Sequence, residues 1–344
     1  MATIKKQKNS WQGKHGPLLI AEIGGNHEGN FNYAKKLTKL AIKSNVDVIK
    51  FQIYTGDTLV NELQSPLRNK HFKKFQLSKK QHIYLAKMCK KNGVKYLSSV
   101  WDMSALKWID KYLDYYKIGS GDLTCYPLIE KFAKKGKPII LSTGLSNLKE
   151  VNQSIKFIKS KNPKYKLKKN LSVLQCTSTY PTLDEEANLN VVKTLSKIKN
   201  ITPGYSDHTI GSLALKTAYS LGAQVLEFHF TDTRKNKNFR DHKVSLTSEE
   251  TLEMIKEIKK IKKLLGSDSK KPTKKEIKSG HLKSFRRALY LNKDYFKGQI
   301  IKEKDIETLR PNNGYDARNY KKLIGKKIKK NINKLEKILI NRNV

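Results

Sequence analysis

Cysteine is scarce in this sequence. Its 344 residues include three cysteines, Cys89, Cys125 and Cys176, an odd number without clusters. A disulfide framework needs paired cysteines, and a thiolate zinc site needs them at close, regular spacings. The cysteine content therefore argues against both.

Long apolar runs are absent as well. No stretch approaches the roughly 20 apolar residues that a membrane-spanning helix requires. Residues 1–16 are polar and lack the apolar segment of a secretory signal. We therefore predict a cytoplasmic protein with no membrane partner.

Acidic residues and arginine are few. The sequence has 30 Asp and Glu against 71 Lys and Arg, a formal net charge of +41, yet arginine supplies only eight of these cations. Nucleic-acid-binding proteins more often concentrate arginine and aromatic residues on one face. Because the lysines recur on nearly every predicted helix, we predict a solvated basic surface and no nucleic-acid partner. A non-catalytic, basic nucleic-acid-binding protein is the alternative from another functional class.

What the sequence does contain is a repeated alternation of strand and helix patterns. The predicted strands are Leu18–Ile23, Val48–Gln52, Lys95–Val100, Tyr115–Ile118, Pro138–Ser142, Leu171–Cys176, Thr202–Ser206 and Val225–Phe230. The predicted helices are Phe31–Ser44, Ser78–Asn92, Met103–Tyr112, Tyr126–Lys135, Leu148–Lys161, Asn190–Lys199, Ser212–Leu221 and Ser248–Leu265. Eight such units in about 250 residues are typical of a (β/α)8 TIM barrel.

The alternation ends in a polar, turn-rich stretch that begins at Gly266. We predict a barrel domain at 1–265, a linker at 266–283 and a small, mainly β domain at 284–344. Short β patterns in the last domain lie at Ala288–Leu291 and Gln299–Ile301. About 60 residues make a marginal core, so we expect this domain to pack on something larger.

Two histidines lie at the ends of two successive predicted strands. His208 comes just after one strand, and His229 lies in the next, two residues after Glu227 and on the same side. Two imidazoles near a carboxylate suit a divalent metal and leave coordination positions for water or substrate. The pattern favours a metal site at these strand ends.

Two lysines lie within apolar strands. Lys50 and Lys117 are expensive to bury unless an anion pairs with them. Glycine-containing turns follow at 119–121 and 142–144, where backbone N–H groups can also face an oxyanion. The sequence therefore predicts a phosphate-bearing ligand.

Polar residues at strand ends converge on one rim of a barrel, where active sites lie. The candidates are Glu22, Lys50, Gln52, Ser98, Ser99, Lys117, Ser120, Ser142, Gln175, Ser178, Ser206, His208, Glu227 and His229.

These residues belong to motifs that together resemble the sialic acid synthase family. The motifs are AEIGGNHEG at 21–29, IKFQ at 49–52, YKIGSGD at 116–122, KPIILSTG at 137–144, QCT at 175–177, GYSDHT at 204–209 and EFHFT at 227–231. Residues 297–311 are similar to the antifreeze-like (SAF) domain that ends members of this family. The resemblance covers nearly the whole chain.

The resemblance implies a reaction and a set of partners. Phosphoenolpyruvate would condense with an N-acetylmannosamine-type aminosugar and water to give a sialic or other nonulosonic acid and phosphate. The metal would be Mn²⁺, with Mg²⁺ or Co²⁺ as alternatives, held by His208 and His229. The enzyme would be a domain-swapped homodimer.

The resemblance also implies roles for individual residues. The implied catalytic residues are Glu22, Glu227, Asp241 and Lys117, of which we favour Glu22 as the acid or base. Phosphoenolpyruvate would be held by Lys50, Ser99, Lys117, Ser120, Ser142, Ser178 and Ser206. The sugar would face Gln52, Asp122, Tyr180, Asp241 and Arg310, the last from the partner subunit.

A second enzyme class also fits a buried lysine. In a Schiff-base aldolase, Lys117 or Lys50 would attack a keto acid covalently. The histidine pair argues against this alternative, because such an aldolase needs no metal.

Overall fold

The computed structural model describes residues 11–344; residues 1–10, most of the polar stretch predicted to lack a signal, lie outside it. Two units are described separately, one ending at Gly266 and the other spanning Ser267–Val344. Apart from Gly266, the stretch predicted as a linker, 266–283, groups with the second unit; it contains the short helix Lys274–Lys278 and most of another, His281–Ser284.

The first unit is the predicted (β/α)8 barrel. A two-residue strand, β1 (Gln12–Gly13), precedes eight barrel strands: β2 (Gly16–Glu22), β3 (Val48–Ile53), β4 (Lys95–Val100), β5 (Tyr116–Ile118), β6 (Ile139–Ser142), β7 (Leu171–Cys176), β8 (Thr202–Asp207) and β9 (Val225–His229). Each barrel strand pairs in parallel with the next, and β9 pairs in parallel with β2, which closes the barrel. The fold prediction is confirmed.

Alternation along the strands separates two cores. In β2, Leu19 and Ala21 pack outward against the helices, whereas Leu18 and Ile20 point into the barrel. The inner core also contains Trp11, which is fully buried among residues near the strand starts. Apolar packing therefore fills the N-terminal end of the barrel, and polar side chains are left for the C-terminal end.

The helices of the first unit follow the strands. They are α1 (Phe31–Lys43), α2 (Gly56–Leu59), α3 (Pro66–Phe75), α4 (Lys79–Lys91), α5 (Leu106–Ile109), α6 (Tyr126–Lys135), α7 (Leu148–Lys161), α8 (Val191–Ser196), α9 (Leu213–Ser220) and α10 (Ser248–Leu265). Capping boxes start several of them, as where the Thr247 side chain accepts from the Glu250 backbone and the Glu250 side chain from the Thr247 backbone.

One helix prediction needs correction, and two helices were not predicted. The predicted helix Met103–Tyr112 is one α-helical turn, α5, between two 3₁₀ segments, Met103–Ala105 and Asp110–Tyr112. Helices α2 and α3 were not predicted at all, and both lie in the long connection between β3 and α4.

The second unit is built on a three-stranded antiparallel sheet. Its strands are β10 (Ala288–Leu291), β11 (Ile306–Leu309) and β12 (Tyr315–Asp316), with β10 in the centre, and its helices are α11 (Lys274–Lys278), α12 (His281–Ser284), α13 (Tyr320–Leu323) and α14 (Ile340–Asn343). The run predicted as a strand at Gln299–Ile301 forms one isolated bridge, from Ile300 to Lys327. Leu289, Leu291 and Tyr295 contribute to a small core of its own.

Across residues 11–344, none of the helices combines the length and the apolar character that crossing a membrane would take.

Two buried histidines, His27 and His82, pack against the ring of Phe51. Burial lowers the pKa of His27 to about 4 and that of His82 to about 3. His82 Nδ1 lies 2.9 Å from the Tyr96 hydroxyl, and His27 Nδ1 accepts from the Gly29 backbone N–H. Both rings are therefore neutral in the folded protein at neutral pH.

We expect these histidines to destabilise the fold in acid. In the unfolded chain each titrates near pH 6.5, so below that pH the unfolded state binds protons that the folded state does not. The free energy of unfolding should fall by up to about 1.4 kcal/mol for each histidine and each pH unit, from about pH 6.5 towards the folded pKa values. Urea unfolding between pH 7.5 and 4.5 measures this, and His82→Gln should make the decline shallower. Identical slopes for the two proteins would contradict the expectation.

Candidate active site

A cavity of about 950 Å³ opens at the C-terminal ends of the barrel strands. Fifteen of the eighteen residues proposed from the sequence line it: Glu22, Lys50, Gln52, Ser99, Lys117, Ser120, Asp122, Ser142, Ser178, Tyr180, Ser206, His208, Glu227, His229 and Asp241. Strand register explains the convergence, because Glu22 is paired with Lys50 on one side and with His229 on the other. The other three do not line it. Ser98 and Gln175 are buried and donate to the backbone carbonyls of Ser99 and Ala187. Arg310 is an exposed residue of the second unit.

Other residues of the cavity were missed. The segment with α2 and α3 contributes Leu59, Val60, Asn61, Arg68, His71 and Phe72, and other connections contribute Trp101, Leu145, Asn238, Phe239 and Arg240. A signal for the first group was present, because 25 residues separate β3 from α4, and long connections at this end of a barrel commonly carry binding residues.

Two lysines and two glutamates form a buried charged cluster in the cavity. Lys50 Nζ lies 2.8 Å from Glu22 Oε1 and 3.5 Å from Glu227 Oε1, and Lys117 Nζ lies 3.7 Å from Glu227 Oε1. Lys117 also donates to the Ser142 hydroxyl at 2.7 Å. Glu22 and Glu227 thus supply part of the negative charge that the two buried lysines require.

Burial and charge pairing shift the pKa values of these four groups in different directions. Burial raises the pKa of Glu22, and repulsion by Glu227 adds to this against the attraction of Lys50. Burial also acts on Glu227 and Lys50, but the opposite charges outweigh it, so the pKa of Glu227 is lowered and that of Lys50 is raised. Lys117 differs, because burial exceeds the attraction of Glu227 and lowers its pKa. Glu22 is therefore the carboxylate of the cluster that takes up a proton most readily.

His208 and His229 lie side by side, with ring centroids 5.2 Å apart. His208 Nδ1 lies 2.6 Å from the Thr177 carbonyl oxygen, so Nδ1–H donates to it and Nε2 keeps its lone pair. His229 Nδ1 is buried, lies 3.6 Å from Asp241 Oδ2, and has no hydrogen-bond partner among residues 11–344. Burial lowers the pKa of both rings, which favours the neutral form that binds metals.

This pair fits a metal ion bound by two imidazoles. In the described part of the chain, no three His, Cys, Asp or Glu side chains group as ligands. A metal at His208 and His229 would therefore need water or substrate to complete its coordination. The Oε2 atoms of Glu22 and Glu227, buried and also without partners among residues 11–344, are acceptors for such molecules.

Serine hydroxyls surround a glycine at one side of the cavity. Gly144 donates its backbone N–H to Ser120 Oγ at 3.0 Å. A Cβ on Gly144 would lie 2.2 Å from Ser178 Oγ and 2.9 Å from Ser120 Oγ. Since any side chain there would collide with both hydroxyls, glycine is needed for the two serines to converge.

Aromatic residues form other parts of the wall. Tyr180 packs on His208 with ring centroids 4.1 Å apart, and the Arg240 guanidinium lies 4.5 Å from the centre of the Tyr180 ring. Trp101 Nε1 donates to Asp122 Oδ2 at 2.5 Å. Burial nevertheless raises the pKa of Asp122. Trp101 thus binds one carboxylate oxygen of Asp122, and the other oxygen takes no part in this hydrogen bond.

The sequence matches two known protein families. The sequence model described as the NeuB family matches residues 37–270, and the model described as the SAF domain matches residues 286–342. The chain belongs to the NeuB family.

Named proteins are similar to this chain over nearly its whole length. The N,N'-diacetyllegionaminic acid synthase of Campylobacter jejuni is 35% identical, over 91% of this chain and 96% of its own length. The pseudaminic acid synthase of the same species is 32% identical, over 92% and 93%. A crystal structure of the N-acetylneuraminic acid synthetase of Leptospira borgpetersenii, with citrate, has a TM-score of 0.70 and 27% identity, and the match covers 77% of this chain and 90% of that one.

Proposed function

We propose that this protein condenses phosphoenolpyruvate with an N-acylated aminosugar and water, giving a nonulosonic acid and phosphate. The observation that carries the proposal is the buried cluster of Lys50, Lys117, Glu22 and Glu227 beside the His208–His229 pair. Membership of the NeuB family supports it, as do relatives named as synthases of legionaminic and pseudaminic acid. We propose the cytoplasm as its location.

The two lysines are proposed to bind the anionic groups of phosphoenolpyruvate. Lys50 and Lys117 are only 3–4% exposed, so little water competes for their ammonium groups, which can form strong ionic hydrogen bonds. Hydroxyls would complete the site at Ser99, Ser120, Ser142, Ser178 and Ser206, all of which line the cavity. Gly144 supports this arrangement because it lets Ser120 and Ser178 converge.

His208 and His229 are proposed to hold a divalent metal, with Mn²⁺ favoured and Mg²⁺ or Co²⁺ as alternatives. A bound metal would supply Lewis acidity toward an aldehyde oxygen. Asp241 Oδ2, 3.6 Å from His229 Nδ1, is placed to accept hydrogen bonds from water beside this site. The lowered pKa of both histidines keeps them available as ligands at neutral pH.

In the proposed reaction, C3 of phosphoenolpyruvate forms a bond with the aldehyde carbon of the sugar. Water adds at C2, and the C2–O bond to phosphate then breaks. Glu22 is proposed to move the protons, since burial raises its pKa above that of an ordinary glutamate. Glu227, with its pKa lowered by Lys117 and Lys50, would stay ionised and hold both ammonium groups in place.

The sugar is proposed to lie against Gln52, Asp122, Tyr180 and Asp241. Gln52 Nε2 donates to Glu22 Oε1 at 2.9 Å, so a sugar that contacts Gln52 would sit next to the proposed acid or base. Asp122 keeps one oxygen outside its bond to Trp101, which makes it an acceptor for a hydroxyl or amide.

The decisive experiment uses the purified protein, phosphoenolpyruvate, Mn²⁺ and a panel of N-acylated hexosamines. Phosphate release and mass spectrometry of the nonulosonic acid product measure the reaction. Product from at least one acceptor, lost with EDTA and restored by Mn²⁺, would support the proposal. Complete inactivity toward the panel, with a folded protein, would argue against it.

The second candidate is a Schiff-base aldolase, and one observation favours it. Burial lowers the pKa of Lys117, as a nucleophilic amine requires. Borohydride trapping of a keto acid on Lys117 would support the aldolase. Activity that depends on added metal and leaves no trapped lysine would support the synthase.

Arg310 is proposed to reach the sugar from the partner subunit of a domain-swapped homodimer. It is an exposed residue, and its planar guanidinium can hold a carbonyl or hydroxyls in a fixed orientation. We expect Arg310→Ala to lower kcat/KM for the sugar by about 30-fold, equivalent to about 2 kcal/mol for hydrogen bonds to a charged group, while the dimer persists. Kinetics and light scattering measure the two effects.

Mixed dimers test the exchange between subunits. Arg310→Ala and His208→Ala subunits should regain activity when combined, since one site of each mixed dimer then contains neither lesion. If verified exchange restores no activity, Arg310 does not serve the partner's site.

A further inference from the structure

The loop that carries Asp241 leaves the barrel after β9 and returns to it. Phe230 forms a bridge with Leu246, and the Leu246 N–H donates to the His229 carbonyl at 2.8 Å. Between these residues the loop contains a 3₁₀ segment, Arg240–Val244, in which Asp241 is buried and lines the cavity. The place of its carboxylate therefore depends on what holds this segment.

A turn at the end of β2 holds the segment through Asn26. Its side chain is fully buried, and Nδ2 donates to the Phe230 carbonyl at 2.9 Å and to Ser245 Oγ at 2.8 Å. Ser245 Oγ in turn donates to the Asp241 carbonyl at 2.7 Å. One side chain thus fixes both the start of the loop and, through a single hydroxyl, the backbone of Asp241.

The same turn makes two further contacts with the loop. His242, fully buried, lies between the Thr231 hydroxyl at 2.7 Å and Glu28 Oε1 at 3.2 Å. Glu28 adopts a positive φ of 52°, a conformation that costs a non-glycine residue energy. Gly25 packs so closely that an added Cβ would lie 2.8 Å from the Phe239 ring. The turn is therefore shaped to fit the loop.

From this geometry we infer that Asn26 and Ser245 are positioning residues that set the location of Asp241 at the active site. Both residues act on the backbone of Asp241, through the hydrogen bond from Ser245 to its carbonyl oxygen. The Asp241 carboxylate lies 3.6 Å from His229. It faces the sugar in the reaction proposed above, on which this inference rests. A displacement of about 1 Å at such a group can cost about 100-fold in rate.

Ser245→Ala tests the inference, with Ser172→Ala as the matched control. Ser172 is also a buried serine that donates to a carbonyl, that of Thr202, at the other end of the barrel. We expect Ser245→Ala to lower kcat/KM for the sugar about 10- to 100-fold, as outer-shell substitutions do, with little change in KM for phosphoenolpyruvate. Ser172→Ala should leave both parameters near their original values. Equal effects of the two substitutions would overturn the inference.

A double-mutant cycle asks whether Ser245 acts through Asp241. In an Asp241→Asn background, Ser245→Ala should have little further effect, because the group that it positions is already impaired. Fully additive losses would overturn the inference. Asn26→Ala provides a second variant, with the same expected non-additivity.

Hydrogen exchange gives a readout that does not need turnover. Amides of residues 240–245 should exchange faster in Ser245→Ala than in Ser172→Ala, with β9 unchanged. If no acceptor is turned over by the unsubstituted protein, the proposed function fails, and unchanged exchange in Ser245→Ala would separately overturn the positioning role.

Discussion

Alanine at either His208 or His229 is expected to lower turnover by about 1,000-fold or more. A catalytic metal stabilises the transition state by several kcal/mol, and each 1.36 kcal/mol of that stabilisation changes the rate about tenfold. The barrel should stay folded, because each substitution removes a ring at the cavity surface and leaves the apolar cores unchanged. Phosphate release measures turnover. Calorimetric titration with Mn²⁺ measures binding directly and should show that it is lost.

His15→Ala is the matched control for these variants. His15 is also buried, but it lies at the N-terminal end of the barrel, with Nε2 2.9 Å from the Asn45 carbonyl oxygen. We expect this control to keep both turnover and Mn²⁺ binding. Rates within tenfold of the unsubstituted protein for His208→Ala or His229→Ala, with unchanged Mn²⁺ affinity, would disprove the metal assignment.

Lys117→Met is expected to have the second largest effect. It removes an ammonium group proposed to bind phosphoenolpyruvate, and a hydrogen bond to a charged group contributes up to about 3 kcal/mol, or about 100-fold in kcat/KM. KM for phosphoenolpyruvate should rise far more than KM for the sugar. Steady-state kinetics with each substrate varied in turn measure the difference.

Stability must be separated from binding in this variant. Without Lys117, Glu227 keeps one ammonium partner, Lys50, 3.5 Å away, and removing one member of a buried ion pair commonly costs about 3–5 kcal/mol. The double variant Lys117→Met/Glu227→Gln removes both charges and should recover stability without recovering the use of phosphoenolpyruvate. An equal rise in KM for phosphoenolpyruvate and for the sugar, in a stable double variant, would contradict the assignment of Lys117.

The barrel strands could be predicted because buried parallel strands are short, nearly continuous apolar runs. The run at Leu171–Cys176 was predicted with the bounds that the structure has. The segment 103–112, by contrast, was predicted as one continuous helix but contains only a single α-helical turn, which gains little from helix cooperativity. There, Tyr116 and Lys137 both donate to the Asp110 side chain, and these tertiary bonds accompany the local break into short helical segments.

The α2–α3 segment shows a different reason for failure. It is polar and weakly amphipathic, and the buried residues of α3 are Asn69 and Phe75. The Asn69 side chain donates to the Val60 carbonyl at 2.9 Å and to Asp57 at 3.2 Å. Hydrogen bonds of this kind leave no hydrophobic periodicity in the sequence. Residues that it contributes to the cavity, such as Arg68 and Phe72, were therefore not predicted.

The sequence by itself determined the barrel and the polar residues at its C-terminal rim, because strand periodicity decides which side chains point inward and strand order decides which rim they share. Tertiary structure alone decided how those groups pair. The bonds from Asn26 to Phe230 and Ser245 span 204 and 219 residues and exist because β9 closes on β2. The same closure places Glu22 beside His229, and burial, which no local pattern encodes, raises the pKa of Glu22.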